Sequence, residues 1–460
     1  MREYTLAEHR ARIANLSRAE HDAGRYTKRV RIRDYIPGQA IYNLGDYPAR
    51  FSIEPTEYDE ALLTEFERCG VGLIQVHEEW NDAARHLGAD KFTSHDPEGM
   101  RHFVELCHRH HIRIIPYISS GYFHEYDPDF REAFGHVGME PHWCEGMTFK
   151  YRCCAPESAE WRAYVLPRTF AALDTYGFDG IYNDWGYDWG PVRKEYMELR
   201  KSGGDVGTLY DPAIEDLLGL IYTEVKRRGG IYKLHADGNN RPPCRDRVYD
   251  YLWIGEGVGD MRVGVGKTYD PYVVPCRDLR HTRSAEDEFA AAIPFVQFPL
   301  LKRGRPLMGF HTEEDMPYYG SKSPESEYGY NKRVAAYMAE HPNGPYVYSL
   351  WSSIPDDSEE YPRWKEYLAL YRPMVEENSL VFTELRGSPL FTAEPPEKVF
   401  ASLFVNEAYY LAASNFTGTP YTLTLAEDWQ DRRSGEIGRS FTIPHSSILF
   451  LKKTEEGIPC

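Results

Sequence analysis

Three acidic side chains follow short β-branched or aromatic runs that have the character of buried strands. Asp184 ends the run GFDGIYND, Asp237 follows KLHA, and Glu256 follows YLWIG. The carboxyl ends of parallel strands meet at one edge of a sheet, so these carboxyl groups are expected to face one another. Cleavage of a glycosidic bond needs two such groups, one at the anomeric carbon and one that protonates the leaving oxygen. The pattern predicts Asp184 as nucleophile, with Glu256 or Asp237 as the second acid.

Glu256 has the surroundings that a general acid requires. Gly255 and Gly257 flank it and allow a ligand to approach the backbone closely. Trp253 and Ile254 are apolar neighbours that are expected to raise the pKa of its carboxyl group. An acidic residue after a strand also commonly caps a helix or forms a turn, so a structural role is the alternative for each acid.

Repeated βα units are predicted from about residue 38 to residue 375, where short strand-like runs alternate with longer segments of helical period. The number of these units indicates an α/β fold, a (β/α)8 TIM barrel. The predicted strands are 40–44, 73–77, 113–118, 180–184, 231–235, 251–254, 306–310 and 347–350. Asp96 with Pro97, and Asp211 with Pro212, are typical of helix starts between these strands.

The texture of the sequence changes after a last helix near residues 364–376. Short alternating strands such as KVFASLFV, YYLAASNF and SSILFLKK follow, separated by turn residues. They predict a small C-terminal antiparallel β-sandwich. The predicted domains are a helical N-terminal extension at residues 1–30, a catalytic barrel at 31–376 and the β-sandwich at 377–460.

Charge and composition exclude several classes of partner. A formal net charge of −18 argues against nucleic acid and anionic membranes, which require a basic surface. The N-terminal segment MREYTLAEHRARIANL is charged throughout and no apolar run is long enough to span a membrane, so a cytoplasmic protein is expected. The 35 tyrosines and 9 tryptophans offer the flat faces on which sugar rings pack, which favours a carbohydrate substrate.

No cofactor or metal is indicated by the sequence. The eight cysteines form no CxxC pair and show no regular spacing, so neither a disulfide framework nor a zinc knuckle is expected. The glycine-rich run GVGDMRVGVG does not open a helix, unlike the loops that cradle phosphates. The sequence does not determine the oligomeric state, and a homo-oligomer is one of the possibilities.

Several segments together resemble the clan of retaining α-glycosidases that includes α-galactosidases and raffinose synthases. CGVGLIQVHEEWNDAARHLGADKFTSHDPEGMRHFVELCHRHHIRIIPYI has that clan's order of strand, acidic pair with Trp, helix and third strand. GFDGIYNDWG is similar to its nucleophile strand, HADGNNRPPCRDRVYDYLWIGEG to the segment that leads to its acid/base, and RPLMGFHT to its seventh strand. The closing IPHSSILFLKK resembles its C-terminal sandwich. The resemblance implies that Asp184 is the nucleophile and Glu256 the acid/base.

The resemblance also implies which residues hold the sugar. Glu78, Glu79 and Trp80 would contact its hydroxyls and face, with Asp82 nearby and Arg241 or Asp246 lining the site. The residues themselves add His235 as a hydroxyl contact and Trp185 and Trp253 as stacking surfaces. Three departures leave the sugar unassigned: Tyr182 replaces the clan's lysine two positions before the nucleophile, the acidic pair is glutamate rather than aspartate, and so is the acid/base.

The sequence therefore predicts a glycoside hydrolase, an exo-acting retaining α-glycosidase of the α-galactosidase-like kind that takes a small oligosaccharide or glycoside. A metal-dependent hydrolase is one alternative, because His77, His235 and His311 occupy or follow predicted strand ends. A sugar-binding barrel that has lost its chemistry is the other, because of the departures from the clan's pattern.

Overall fold

The chain divides into two compact units. The computed structural model describes residues 3–24, 27–44, 52–77, 80–81, 92–124, 129–135, 142–143, 150–185, 198–199, 202, 209–236, 242–254, 271–275, 285–305 and 360–454. The first unit combines Met1–Gly38, Val258–Leu300 and Asp357–Cys460, and the second combines Gln39–Gly257 and Leu301–Asp356. The N-terminal segment is thus grouped with the C-terminal residues, whereas the sequence suggested an extension separate from both domains.

The helices and strands of the described ranges follow the chain in this order. The helices are α1 (Leu6–Asp22), α2 (Glu57–Cys69), α3 (Pro97–Arg109), α4 (Ala159–Tyr176), α5 (Pro212–Arg227), α6 (Ala285–Ala292) and α7 (Glu360–Tyr371). The strands are β1 (Lys28–Arg31), β2 (Gln39–Asn43), β3 (Leu73–Val76), β4 (Arg113–Ser119), β5 (Tyr122–His124), β6 (His142–Trp143), β7 (Lys150–Cys153), β8 (Gly180–Asp184), β9 (Ile231–Ala236), β10 (Tyr251–Ile254), β11 (Val273–Pro275), β12 (Leu301–Gly304), β13 (Leu380–Thr383), β14 (Val399–Val405), β15 (Tyr409–Asn415), β16 (Tyr421–Asp431), β17 (Ile437–Ile443) and β18 (Ser447–Lys453).

The second unit contains the parallel sheet, and this sheet confirms the predicted TIM-barrel fold. Within this unit its strands lie in the order β10, β9, β8, β4, β3, β2 and β12. The first six predicted strands are confirmed as β2, β3, β4, β8, β9 and β10. A short sheet of β5, β7 and β6 follows β4 in the chain.

The strand beside β2 is not one that the sequence predicted. β12 pairs in parallel with β2, from Leu301 opposite Ala40 to Gly304 opposite Asn43. The predicted strands 306–310 and 347–350 lie outside the described residues. The segment LKRG was not predicted as a strand because Lys302 and Arg303 interrupt its apolar pattern, although the Lys302 side chain is buried.

Two helices of the barrel begin where the sequence indicated. Asp96 caps α3 by accepting a hydrogen bond from Gly99 N, and Asp211 caps α5 by accepting from Ala213 N and Ile214 N. Each aspartate satisfies backbone N–H groups that the first helical turn leaves without an acceptor, and the following proline has no N–H to satisfy. The apolar faces of both helices are buried, as their periodicity predicted.

The predicted C-terminal antiparallel β-domain is confirmed, and its strands form one sheet rather than two. The order is β1, β13, β14, β15, β18, β16 and β17. Every residue of β15 is buried, which requires cover on both faces of the sheet. On one face Leu411 and Ala413 pack in a core with Ala19 of α1. On the other, Ser414 Oγ donates to Ala290 O of α6 at 2.6 Å.

Two further properties of the described residues bear on the sequence predictions. None of the helices described is long and apolar enough to cross a membrane. The cysteines in these ranges are free thiols, namely Cys69, Cys107, Cys153, Cys154 and Cys244.

Candidate active site

Asp184 is the last residue of β8, between β4 and β9. Its backbone carbonyl accepts hydrogen bonds from Ser120 N and Ser119 Oγ, each at 3.1 Å. The neighbouring Asn183 is fully buried on the other face of the strand. Its Nδ2 donates to Ser120 Oγ at 2.8 Å and to the Tyr232 hydroxyl at 2.7 Å. These bonds hold the carboxyl end of β8 firmly, while the Asp184 side chain stays partly exposed.

Tyr117 supplies the hydrogen bond to the Asp184 carboxylate. Its hydroxyl donates to Asp184 Oδ2 at 2.6 Å, a length typical of a hydroxyl that donates to a charged oxygen. The phenol ring is buried, and the backbone carbonyl of Tyr117 accepts from Trp80 Nε1 at 2.9 Å. The side chain that meets Asp184 is therefore fixed by the packing around it.

A buried aromatic cluster surrounds this pair and consists of His77, Tyr117, Tyr182, His235 and Trp253. The ring centroids of Tyr117 and Tyr182 are 5.6 Å apart, those of His77 and Tyr117 6.0 Å, and those of His235 and Trp253 4.7 Å. The cluster brings together side chains from β4, β8, β9 and β10 with one that follows β3. Asp184 is joined to this cluster by its hydrogen bond from the Tyr117 hydroxyl.

Tyr182 occupies the position at which the sequence resemblance led us to expect a lysine. Its hydroxyl is hydrogen-bonded to His235 Nδ1 at 2.7 Å. A phenol that is hydrogen-bonded to the His235 imidazole thus takes the place, two residues before Asp184, at which a lysine was expected. His235 was predicted as a contact for a sugar hydroxyl, and the structure places its ring within the cluster with Nδ1 engaged by Tyr182.

Two of the three histidines that suggested a metal site, His77 and His235, make hydrogen bonds to protein side chains. His77 Nε2 is hydrogen-bonded to Gln75 Nε2 at 2.7 Å, and His235 contacts Tyr182 as described. Among the residues that the structure describes, no group of three or more His, Cys, Asp or Glu side chains could hold a metal ion. His311 lies outside those residues.

The tryptophans expected to stack on sugar are buried. Trp80 is fully buried and packs edge-on against Tyr176 and Phe178, with ring centroids 5.7 and 5.3 Å away. Trp80 thus packs as a core residue, and the sugar-stacking role that the sequence suggested stays a prediction. Trp185 donates its indole N–H to His235 O, and Trp253 packs within the aromatic cluster.

The remaining candidate residues fall outside the described ranges, and their roles stay predictions. They are Glu78, Glu79, Asp82, Asp237, Arg241 and Glu256. The strands that precede Asp237 and Glu256 in the chain, β9 and β10, follow β8 in the sheet. Asp246 is described, and its backbone N–H donates to Glu215 Oε1 at 2.8 Å, close to the start of α5.

Sequence reasoning missed Tyr117, Ser120 and Asn183 as partners of the site. Tyr117 lies in the run RIIPYISS, where it looks like one more apolar residue of a buried strand. Tyr117 and Ser119 are two residues apart and so share one face of the strand, and Ser119 pairs with Asp184. This two-residue spacing is the signal that could have placed Tyr117 beside the carboxylate.

Comparisons with known proteins find similarity in structure only. No family model matches the sequence, and no curated protein sequence matches it. A noncanonic maltogenic α-amylase from Thermotoga neapolitana aligns with a TM-score of 0.53 at 13% identity, covering 92% of this chain and 100% of that chain. A trehalose-6-phosphate hydrolase from Bacillus licheniformis aligns with a TM-score of 0.56 at 12% identity, covering 91% and 99%. An α-glucosyl transfer enzyme reaches 0.57 at 12% identity, covering 90% and 98%.

Similarity of this extent and identity shows a common fold, a barrel with a C-terminal β-domain. None of the three structures named is an α-galactosidase. The α-galactosidase-like part of the sequence resemblance therefore gains no support from them.

Proposed function

We propose that the chain is a glycoside hydrolase, a retaining α-glycosidase with Asp184 as its nucleophile. The observation that carries the proposal is the place of Asp184, a partly exposed carboxylate at the carboxyl end of a barrel strand that receives a 2.6 Å hydrogen bond from Tyr117. Reacting groups of TIM-barrel enzymes lie at this end of the strands. A partly exposed carboxylate at this position can reach the anomeric carbon of a bound sugar.

The reaction would take place in two displacements. In the first, an Asp184 oxygen bonds to the anomeric carbon, the bond to the leaving oxygen breaks, and that oxygen takes the bonding electrons and a proton from the second acid. In the second, the second acid, now a carboxylate, takes a proton from water. The water oxygen bonds to the anomeric carbon, and the bond from that carbon to Asp184 breaks. Glu256 is the proposed second acid, with Asp237 as its alternative.

The proposed substrate class is a small α-glucoside or α-glucosyl oligosaccharide. By their titles, the three structures named above are a maltogenic α-amylase, a trehalose-6-phosphate hydrolase and an α-glucosyl transfer enzyme, and this supports testing α-glucosides before α-galactosides. The net charge of −18 favours a neutral substrate over a phosphorylated one.

The test compares Asp184→Asn with Asp179→Asn on a panel of nitrophenyl α- and β-glycosides. Asp179 lies just before the other end of β8, where its carboxylate accepts from Ile114 N at 2.8 Å, so it is a matched control for loss of one aspartate on this strand. Asp184→Asn should lower kcat/KM by at least about 1000-fold, and Asp179→Asn should leave it within about tenfold. NMR of the first product should show the anomeric configuration of the substrate.

An Asp184→Asn variant that keeps the activity of the unaltered protein would overturn the proposal. Binding of the glycosides without hydrolysis by the unaltered protein would also reject it and would identify a sugar-binding barrel instead. Loss of activity on treatment with a chelator, restored by a divalent ion, would favour the metal-dependent reaction.

A further inference from the structure

We propose that Tyr117 is a positioning residue for Asp184, whose phenol holds Oδ2 and thereby presents Oδ1 to the anomeric carbon. This inference rests on the proposed function and deepens it. Among the described residues, the side-chain hydrogen bond to the Asp184 carboxylate comes from Tyr117 and reaches Oδ2. A hydrogen bond at one oxygen restricts rotation of the carboxylate and leaves the other oxygen for attack along a defined line.

The strand register explains why Tyr117 reaches this position. Tyr117 is the Cα partner of Tyr182 across β4 and β8, and Ser119 is the partner of Asp184. Residues two apart on a strand point to the same face, so Tyr117 and Asp184 share one face of the sheet. The length of the tyrosine side chain bridges the two-residue offset along the strands, and a shorter hydroxyl side chain would not.

The packing of Tyr117 leaves its phenol little freedom. Its ring lies 5.6 Å from the Tyr182 ring and 6.0 Å from the His77 ring, measured between centroids. Trp80 Nε1 donates to its backbone carbonyl at 2.9 Å. A donor with one accessible position loses little entropy when it binds the carboxylate, so the hydrogen bond can fix the orientation of Asp184.

Tyr117 donates to the Asp184 carboxylate at a site where the side chain two positions earlier in the chain is not a cation. The side chain two positions before Asp184 is Tyr182, and its hydroxyl is engaged with His235 Nδ1 at 2.7 Å. The Tyr117 hydroxyl would assist the second displacement, because negative charge returns to the Asp184 carboxylate when the sugar leaves it.

Two readouts distinguish this role from a merely structural one. In Tyr117→Phe, kcat for dinitrophenyl α-glucoside should fall by about 10- to 100-fold, the range expected for loss of one hydrogen bond to a charged group. With this activated leaving group the second displacement limits turnover, so kcat should fall more than kcat/KM.

The matched control is Tyr42→Phe. The Tyr42 hydroxyl donates to Asp59 Oδ1 at 2.7 Å, a buried tyrosine–aspartate bond between β2 and α2. Tyr42→Phe therefore makes the same chemical change away from Asp184. It should lower the melting temperature and leave the ratio of kcat to kcat/KM unchanged.

If Tyr117→Phe does not fold well, a second replacement at the same position can be used. Site-specific replacement of Tyr117 by 3,5-difluorotyrosine keeps the ring and strengthens the phenol as a donor, so kcat for the dinitrophenyl α-glucoside should rise relative to kcat/KM. The inference is overturned if neither change at position 117 moves the ratio of kcat to kcat/KM. Full activity in Asp184→Asn would instead overturn the proposed function itself, so the two failures are distinguishable.

Discussion

At the scale of single residues, the candidate site depends on a carboxylate and on the bonds that hold it. Asp184 could be predicted because it directly follows a buried run, a local feature of the sequence. Tyr117 could not, because its contact with Oδ2 depends on the register between β4 and β8, which are separated by more than sixty positions in the chain. The burial of Trp80 was missed for the same reason, since Tyr176 and Phe178 reach it from a distant segment.

The identity of the second acid is a prediction at this scale. A general acid matters most when the leaving group is poor, because a good leaving group departs without a proton. We expect Glu256→Gln to lose at least about 100-fold in kcat/KM toward a methyl or phenyl α-glucoside. The same variant should keep most of its kcat/KM toward the dinitrophenyl α-glucoside, as measured by steady-state kinetics.

Asp237→Asn provides the comparison for that measurement. It should affect substrates with good and poor leaving groups to a similar degree if Asp237 only contacts the sugar. The reverse pattern, with the leaving-group dependence in Asp237→Asn and none in Glu256→Gln, would assign the proton donor to Asp237.

At the scale of elements, a buried ion pair joins α2 to the residue after β12. Arg305 Nη2 and Asp59 Oδ2 are 2.9 Å apart, and the Asp59 side chain is fully buried. Arg305 also donates to the backbone carbonyls of Ser52 and Ile53 at 2.8 and 3.1 Å. Burial alone would raise the pKa of Asp59, but the hydrogen bonds and charge of Arg305, with the Tyr42 hydroxyl, lower it overall from its usual 3.8.

Asp59→Asn should destabilise the protein because it leaves the Arg305 charge buried without its partner. The expected loss is about 3–5 kcal/mol in the free energy of unfolding at neutral pH. Because the folded-state pKa of Asp59 is lowered, its contribution is present above the unfolded value and disappears as pH falls through the folded one. Urea unfolding of the unaltered protein and of Asp59→Asn should therefore give a constant difference in the free energy of unfolding at neutral pH. This difference should shrink below about pH 4.

The control for this ion pair is Asp174→Asn. Asp174 pairs with Arg228 Nε at 2.9 Å, but its side chain is largely exposed. Water screens such a pair, so the variant should unfold close to the unaltered protein. Equal losses in Asp59→Asn and Asp174→Asn would show that burial of the first pair does not matter.

The elements also show where pattern recognition succeeds and where it fails. The starts of α3 and α5 were predictable because a cap and a proline are local signals. β12 was not, since its charged residues hide a strand whose place is determined by pairing with β2. Likewise the single antiparallel sheet could not be told from a sandwich, because the helices that cover it come from distant parts of the chain.

At the scale of the whole molecule, the N-terminal helix belongs to the unit that contains the C-terminal sheet. Ala19 of α1 is fully buried against Leu403 and Leu411, and Tyr409 donates its hydroxyl to Asp22 Oδ2 at 2.9 Å. β1 pairs with β13 in the same sheet. The sequence indicated a helix here but not what it packs against, since α1 and the sheet lie at opposite ends of the chain.

Ala19→Arg tests that α1 is part of this core. A long charged side chain at a fully buried position both overpacks the core and buries an unpaired charge, so we expect a loss of at least about 3 kcal/mol and a clear drop in melting temperature. Ile13→Arg is the control on the same helix, where the side chain is 54% exposed. Thermal unfolding of the full chain should separate the two, and similar melting temperatures would mean that α1 contributes little to the unit.

The central claim is that Asp184 forms a bond to the sugar. Its most direct test is mass spectrometry of peptides from the protein after incubation with 5-fluoro-α-D-glucosyl fluoride and its galacto counterpart, which accumulate the glycosyl intermediate. The account predicts one added fluoroglycosyl group, located on Asp184. A label on another side chain, or turnover of these fluorides with no label on Asp184 at any time, would contradict it.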